Sequence, residues 1–310
     1  MLGYNRLGIN GRLGNQMFQY AALRGIAAKH NYDWVIPPLD HTTIPMAEYV
    51  LFDGFKMSSV KESNFGFIPQ DRPTYDEPSH DFDVNLFNNC PDNINLEGFR
   101  QSEKYFKHIE NEIKEDYTFI DDIYNPCKEM IDGLGERPLF LHVRRADATG
   151  RPHQYPVASI EWYEKMLEEH FPKDLSVLIL TDKLDWVHEQ ELFKGDRFLL
   201  SEQREYSETL VWNGRGKKEH SLLPWVDLCL MTLCNGGIIP NSTFGWWGAW
   251  LQKNRTNNVV YQHPYFGPEF TAKHDCFRDL NDMYPADWIR GHLPDEMIDT
   301  KSTASENEVG

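Results

Sequence analysis

The chain has 310 residues, 40% hydrophobic and 25% charged, proportions of an ordinary globular protein of about two domains. Its formal net charge of −17 argues against sequence-independent binding to a phosphate backbone, which takes an excess of lysine and arginine, so no nucleic acid partner is expected. No run of about 18 apolar residues is present, so no membrane-spanning helix is expected. Met1-Leu2-Gly3-Tyr4-Asn5-Arg6 also lacks the basic-then-apolar order of a signal peptide, and a soluble cytoplasmic protein is expected. The cysteines, Cys90, Cys127, Cys229, Cys234 and Cys276, are odd in number and contain no Cys-x-x-Cys pair. They read as buried free thiols rather than disulfides or zinc ligands. In such a compartment the sequons at Asn241 and Asn254 read as unmodified.

In chain order, Tyr4 to Asn10 is a short strand candidate, followed by the loop Gly11-Arg12-Leu13-Gly14-Asn15-Gln16. Phe18, Ala21, Ala22, Gly25 and Ile26 then recur at helical spacing. Strand, glycine loop and helix form the opening unit of an α/β domain. Residues 34–100, rich in Pro, Asp and Asn, suggest long loops. Residues 103–134 look helical, interrupted by Pro126, and 133–138 reads as a linker.

Beyond it, Leu139 to Val143, Leu175 to Leu180, Arg197 to Leu200, Gly236 to Pro240 and Val259 to Tyr261 read as strands. Helical patterns at Ile160–Leu167 (capped by Ser159), Trp186–Phe193, Ser221–Cys234 and Thr243–Gln252 fall between them. Apolar strands without polar alternation, separated by amphipathic helices, indicate a parallel sheet buried on both faces. The expected organisation is an N-terminal α/β domain over 1–135, a C-terminal α/β domain over 136–294 and a disordered tail over 295–310.

Three segments carry chemistry. Gly11 to Gln16 is neither a P-loop nor Gly-x-Gly-x-x-Gly. It reads either as a ligand-approaching loop or as a tight strand-to-helix turn. His142-Val143-Arg144-Arg145-Ala146-Asp147 sits at the carboxyl end of a strand, where open α/β sheets bind ligands. Two arginines there ask for an anion such as a phosphate, which guanidinium forks match. Alternatively they form a salt-bridge cluster with Asp147. Successive residues point to opposite faces, so one arginine can meet a phosphate while the other pairs inside the protein. Asn241-Ser242-Thr243-Phe244-Gly245-Trp246-Trp247-Gly248-Ala249-Trp250 opens a helix at another strand end. Its polar residues offer hydroxyl, amide and backbone N–H partners, or Ser242 or Thr243 is only a cap. Trp247 and Trp250, three apart, read as core.

Taken together, Gly11 to Ala21, His142 to Asp147 and Asn241 to Leu251, with Asp227 to Met231 ahead of the third segment, resemble the α-1,2-fucosyltransferases, glycosyltransferase family 11. Glu97-Gly98-Phe99-Arg100-Gln101-Ser102-Glu103-Lys104-Tyr105-Phe106 resembles a first-domain segment of that family. The resemblance spans about residues 4–262. It implies a GT-B-like fold of two facing Rossmann-like domains with parallel sheets. It also implies GDP-L-fucose as donor, inverting transfer to the 2-hydroxyl of a galactose-type acceptor glycan, and no metal or other cofactor. The first arginine of the motif, here Arg144, is then placed on the donor pyrophosphate. His142, Asp182, Asn241, Ser242, Thr243, Phe244 and Gly14 complete the donor side, and Asn15 lies near phosphates and acceptor.

The chain departs from the family at Ala146 and at Gly245, where glycine and serine are usual. With the first strand expected at its start, the sequence resembles microbial or viral members, and an anchor like that of animal members is not expected. Asp147 is the candidate general base, or else an ion-pair partner of an arginine. Two alternatives stand beside this reading. One is a metal-dependent transferase using Asp81 and Asp83, and the other is a catalytically inactive nucleotide-sugar- or carbohydrate-binding protein. Acceptor recognition is expected in the loops over 37–100, with Tyr49, Phe52, Phe65, Phe67, Tyr75 and Phe87 as stacking candidates or core.

Overall fold

The computed structural model describes residues 1–9, 11–39, 50–145, 151–201, 211–212, 220–221, 223–253, 258–274, 280 and 282–300. The chain divides into two compact units. Unit 1 comprises 1–124, 208–225 and 279–285, and unit 2 comprises 125–207, 226–278 and 286–310.

Unit 1 is built on a four-stranded parallel sheet of very short strands. These are β1 (Leu2–Gly3), β2 (Trp34–Val35), β3 (Thr74–Tyr75) and β4 (Ile94–Leu96), in the order β2-β1-β4-β3. The strand expected over Tyr4 to Asn10 is corrected. The strand is Leu2–Gly3, and the chain then turns, with Leu7 N–H bonded to Tyr4 O and Ile9 N–H to Arg6 O. Asn5 holds that turn to its neighbours by accepting from Ile68 N–H and donating to Ile68 O, both through its side chain.

Helix α1 (Leu13–His30) is buried along nearly all its faces, including Gln16 and Gln19, as befits a helix at the centre of a unit. It stops at Asn31, whose left-handed backbone returns N–H bonds to Ala27 O and Ala28 O. Between β2 and β4 lie α2 (Leu51–Gly54) and α3 (Val84–Asn89), so the stretch expected as loop carries short elements. After β4 come α4 (Glu110–Asp116) and α5 (Asp121–Gly133), the latter passing from unit 1 into unit 2 after Tyr124. Pro126 does not interrupt the helical region: it sits exposed within α5, while Ile123, Cys127 and Ile131 are buried. The break falls instead at 117–120.

Unit 2 holds a six-stranded parallel sheet. Its strands are β5 (Leu139–Val143), β6 (Val177–Thr181), β7 (Phe198–Leu200), β10 (Gly237–Ile239), β11 (Val259–His263) and β12 (Ile289–His292), in the order β12-β11-β10-β5-β6-β7. A short antiparallel ribbon, β8 (Val211–Trp212) and β9 (His220–Ser221), falls in the unit 1 portion of the chain. Helices α6 (Ile160–His170), α7 (Leu184–Glu189), α8 (Leu223–Leu233), α9 (Thr243–Trp250) and α10 (Pro268–Lys273) follow the strands. Leu139, Leu141 and Val143 on one face of β5 join Trp162, Met166, Ile179 and Val260 in one core cluster.

A strand the sequence does not announce, at 289–292, pairs with β11, and one expectation is corrected: 295–300 is not a disordered tail. A 3₁₀ turn at Asp295–Met297 leads to Ile298, which bridges Ala158. Residues 301–310 lie outside the described residues. Trp247 and Trp250 are fully buried, as their spacing implies, and Trp246 stacks on Trp250 at 5.9 Å. Cys90, Cys127, Cys229 and Cys234 are free buried thiols, and Cys276 lies outside the described residues.

Candidate active site

In unit 2 the chain starts its sheet at β5, moves outward through β6 and β7, then returns to β10 on the other side of β5 and moves outward through β11 and β12. The direction therefore reverses between β5 and β10. In open parallel sheets that reversal leaves a crevice at the carboxyl ends of the two strands, where ligands bind. His142-Val143-Arg144-Arg145 closes β5, and Asn241 to Phe244 follows β10, so the two flank this point.

His142 alternates to the face of β5 opposite Leu141 and Val143 and meets α9. Its ring lies 5.7 Å from that of Phe244, and its Nδ1 is buried with no hydrogen-bond partner. Gly245 makes the approach possible, since a Cβ there would lie 2.5 Å from that Nδ1. Burial, then the charge of Arg144, lowers the His142 pKa to about 3, so the ring is neutral at pH 7.

The two arginines divide as alternation requires. Arg144 is half-exposed, and its Nη1 donates to Asn241 O at 2.6 Å, tying the end of β5 to the turn after β10. Arg145 is 2% exposed, and its Nη2 donates to Asp299 at 2.6 Å. Its backbone N–H donates to Asp182 Oδ1 at 2.7 Å, so the Asp182 carboxylate holds the motif.

Asn241 is 3% exposed, and its amide donates to Pro156 O at 3.1 Å and Tyr265 O at 3.0 Å. The side chain thus fastens the loops before α6 and after β11, while the backbone carbonyl anchors Arg144. Ser242 caps α9, accepting from Gly245 N–H at 3.4 Å. Thr243 and Phe244 are half-exposed in the first turn of α9, whose backbone N–H groups favour an anion. Asp147 lies outside the described residues.

In unit 1 the glycine loop and the 97–106 segment come together at the carboxyl ends of β1 and β4. Gly11 has φ +90°, a conformation that favours glycine, and a Cβ there would lie 2.1 Å from Asn15 Nδ2. Gln101 Nε2 donates to Asn15 Oδ1 at 2.9 Å and so orients the half-exposed Asn15. Gln19 Nε2 donates to Gly98 O at 3.1 Å, and the Tyr4 hydroxyl donates to the same carbonyl. Gly14 is buried in the first turn of α1.

Asp83 has a structural task. One oxygen caps α3 by accepting from Leu86 N–H at 2.9 Å, and the other accepts from the Tyr75 hydroxyl at 2.9 Å. Of the loop aromatics, Phe52 and Phe65 pack on each other at 5.8 Å, Phe87 packs on Phe82 at 5.2 Å, and Phe67 is 41% exposed. Tyr49 lies outside the described residues.

The sequence reading missed Gln101 as the partner of Asn15, although it sits within the quoted segment. It also missed Asp299, which lies in a stretch too polar to announce itself. No helix among the described residues is long and apolar enough to cross a membrane.

The family model described as "Glycosyl transferase family 11" matches residues 2–289. An alpha-1,2-colitosyltransferase of Escherichia coli is 24% identical, over 90% of this chain and 96% of that protein. A galactoside alpha-(1,2)-fucosyltransferase 1 of Leontopithecus chrysomelas is 25% identical over 78% of this chain and 64% of its own length. The chain thus spans less than two thirds of that animal relative. Among solved structures, POFUT1 in complex with GDP-fucose superimposes with a TM-score of 0.50 at 12% identity, covering 84% of this chain and 97% of that one. The α/β fold with two parallel sheets is of the GT-B type.

Proposed function

The chain belongs to glycosyl transferase family 11, and from that membership and the geometry of unit 2 we propose that it transfers L-fucose from GDP-L-fucose to the 2-hydroxyl of a terminal galactose-type acceptor, with inversion and without a metal. The single observation that carries the donor assignment is Arg144, a half-exposed guanidinium fixed between β5 and β10 at the reversal of the sheet. The relatives named for alpha-1,2 transfer, to galactosides in the animal case, support the linkage.

In this reading the acceptor oxygen attacks the anomeric carbon, the bond from that carbon to the diphosphate breaks, and GDP leaves with the electron pair. Negative charge grows on the diphosphate, and stabilising it in place is the main catalytic task. Arg144, the first turn of α9 and the Thr243 hydroxyl supply it, each charge-assisted hydrogen bond contributing roughly 1.5–3 kcal/mol. Neutral His142 lines the site as a hydrogen-bonding group rather than a charge. The acceptor proton passes to a carboxylate, assigned to Asp147 by its place in the motif, a step that typically contributes about 10²–10⁴ in rate. Asn15, set by Gln101, serves the acceptor side.

GDP-colitose is the competing donor, favoured by the E. coli relative, whose length is matched over 96%. The two sugars differ by one hydroxyl. A site that hydrogen-bonds a substrate hydroxyl rejects the deoxy analogue by about 10⁴–10⁵. The test is mass spectrometry of products from each donor with a panel of β-galactosides, and of donor hydrolysis without acceptor. A fucosylated galactoside, linked at the 2-position, supports the proposal. Neither transfer nor hydrolysis leaves the inactive binding protein, and preference for GDP-colitose replaces the donor.

A further inference from the structure

Arg145 is held on every side. Its Nη2 donates to Asp299 at 2.6 Å, its Nη1 to Ala158 O at 3.3 Å, and its guanidinium carbon stands 4.0 Å from the centre of the Trp186 ring. The side chain is 3% exposed and that of Asp299 13%. Desolvating such a pair costs about as much as the attraction returns, so a buried ion pair is a poor device for stability and a good one for geometry.

Asp299 does not reach Arg145 from a loose end. Asp299 N–H donates to Val157 O at 2.8 Å, Ser159 N–H donates to Met297 O at 2.9 Å, and Ile298 bridges Ala158. Met297 and Ile298 also pack against the core cluster of unit 2. The same three residues therefore hold Arg145 on one side and Val157–Ser159 on the other.

We propose that Asp299 is a positioning residue: through Arg145 it fixes the backbone at 144–145, and with it the Arg144 guanidinium, for transfer. This rests on the reading that Arg144 meets the donor diphosphate. The carboxylate acts on geometry alone, because the backbone pairs and apolar packing of 297–299 stay in place without its charge.

The test uses the full chain carrying Asp299→Asn, Asp299→Glu or Arg145→Lys, with donor and acceptor kinetics, GDP calorimetry and thermal unfolding. Asp299→Asn keeps the shape and removes the charge. It is expected to lower kcat about 10- to 100-fold, the loss that a misplacement of about an ångström produces, and to raise the donor KM. The acceptor KM stays within about twofold and the unfolding midpoint within a few degrees. Asp299→Glu recovers most of the loss. Arg145→Lys, which keeps the charge but lacks the fork that spans Asp299 and Ala158 O, repeats it and serves as the second variant should Asp299→Asn fail to fold. Two folded variants within twofold of wild type in kcat and donor KM overturn the proposal. So does a loss of rate that follows the unfolding midpoint and vanishes on cooling, which marks a structural fastening. If wild type itself binds no GDP, the donor reading falls and this one with it. If wild type binds GDP and transfers while the variants match it, only the positioning role falls.

Discussion

Asn241→Asp replaces one side-chain nitrogen by oxygen at a position where the direction of the amide is unambiguous. Both partners, Pro156 O and Tyr265 O, are carbonyl oxygens at 3.1 and 3.0 Å, so the nitrogen must face them. The substitution keeps the shape, deletes two donors and sets a carboxylate oxygen against two acceptors at a site 3% exposed. Two lost hydrogen bonds cost about 1–3 kcal/mol, and because Pro156 O keeps the Gln262 Nε2 donor at 2.8 Å, it is the loss at Tyr265 O that adds a desolvation cost of about 1–3 kcal/mol. For a unit of this size about 2–4 °C accompanies each kcal/mol, so the unfolding midpoint of unit 2 falls roughly 5–15 °C at pH 7.5. Burial raises the introduced carboxyl's pKa above the ordinary value, and its protonated form restores one donor. The gap to wild type therefore narrows as the pH falls. GDP affinity is expected to drop as well, because the turn that anchors Arg144 is loosened and negative charge is added beside the proposed diphosphate site. Differential scanning calorimetry at pH 7.5 and 5.5, with GDP titrations, reads both effects. A midpoint within 2 °C of wild type at pH 7.5 refutes the claim that this side chain fastens the loops.

His142 is held neutral by burial, its pKa lowered to about 3, while the unfolded chain's histidine takes up a proton near pH 6.5. Its contribution to stability is therefore complete above pH 6.5 and is lost as the pH falls from there toward 3. The wild-type unfolding midpoint should fall more between pH 7.5 and 5 than that of His142→Gln, and equal falls contradict the burial argument. Transfer activity is expected to persist in excess EDTA. Loss with chelator, restored by Mn²⁺ or Mg²⁺, returns attention to Asp81 and Asp83 despite the capping role of Asp83.

Unit 2 was largely legible in the sequence because β5 and β6 are five-residue strands with four apolar residues each, separated by a helix whose periodicity shows. Unit 1 was not, because strands of two or three residues have no period to read, and only Gly11 and the helix after it stood out. Thus Leu2–Gly3 was placed two residues late. β12 went unread because it is a four-residue edge strand with alternating exposure, and Asp299 because its short segment offers only Met297 and Ile298 to the core, too few for a period to show. Alternation along β5 did foretell one exposed and one inward arginine, since it depends only on strand geometry. Asn241 and Ser242 show what such residue types leave open. The amide also bonds the carbonyls of neighbouring loops and the hydroxyl also caps a helix, tasks that only the fold reveals.

The donor site in unit 2 is tested most directly by titrating GDP calorimetrically into wild type and into Arg144→Ala, each checked for an unchanged circular dichroism spectrum. Removing one or two charge-assisted contacts at roughly 1.5–3 kcal/mol each predicts that wild type binds GDP and that Arg144→Ala binds it at least about tenfold more weakly. Equal affinity in the two proteins contradicts the placement of the diphosphate between β5 and β10.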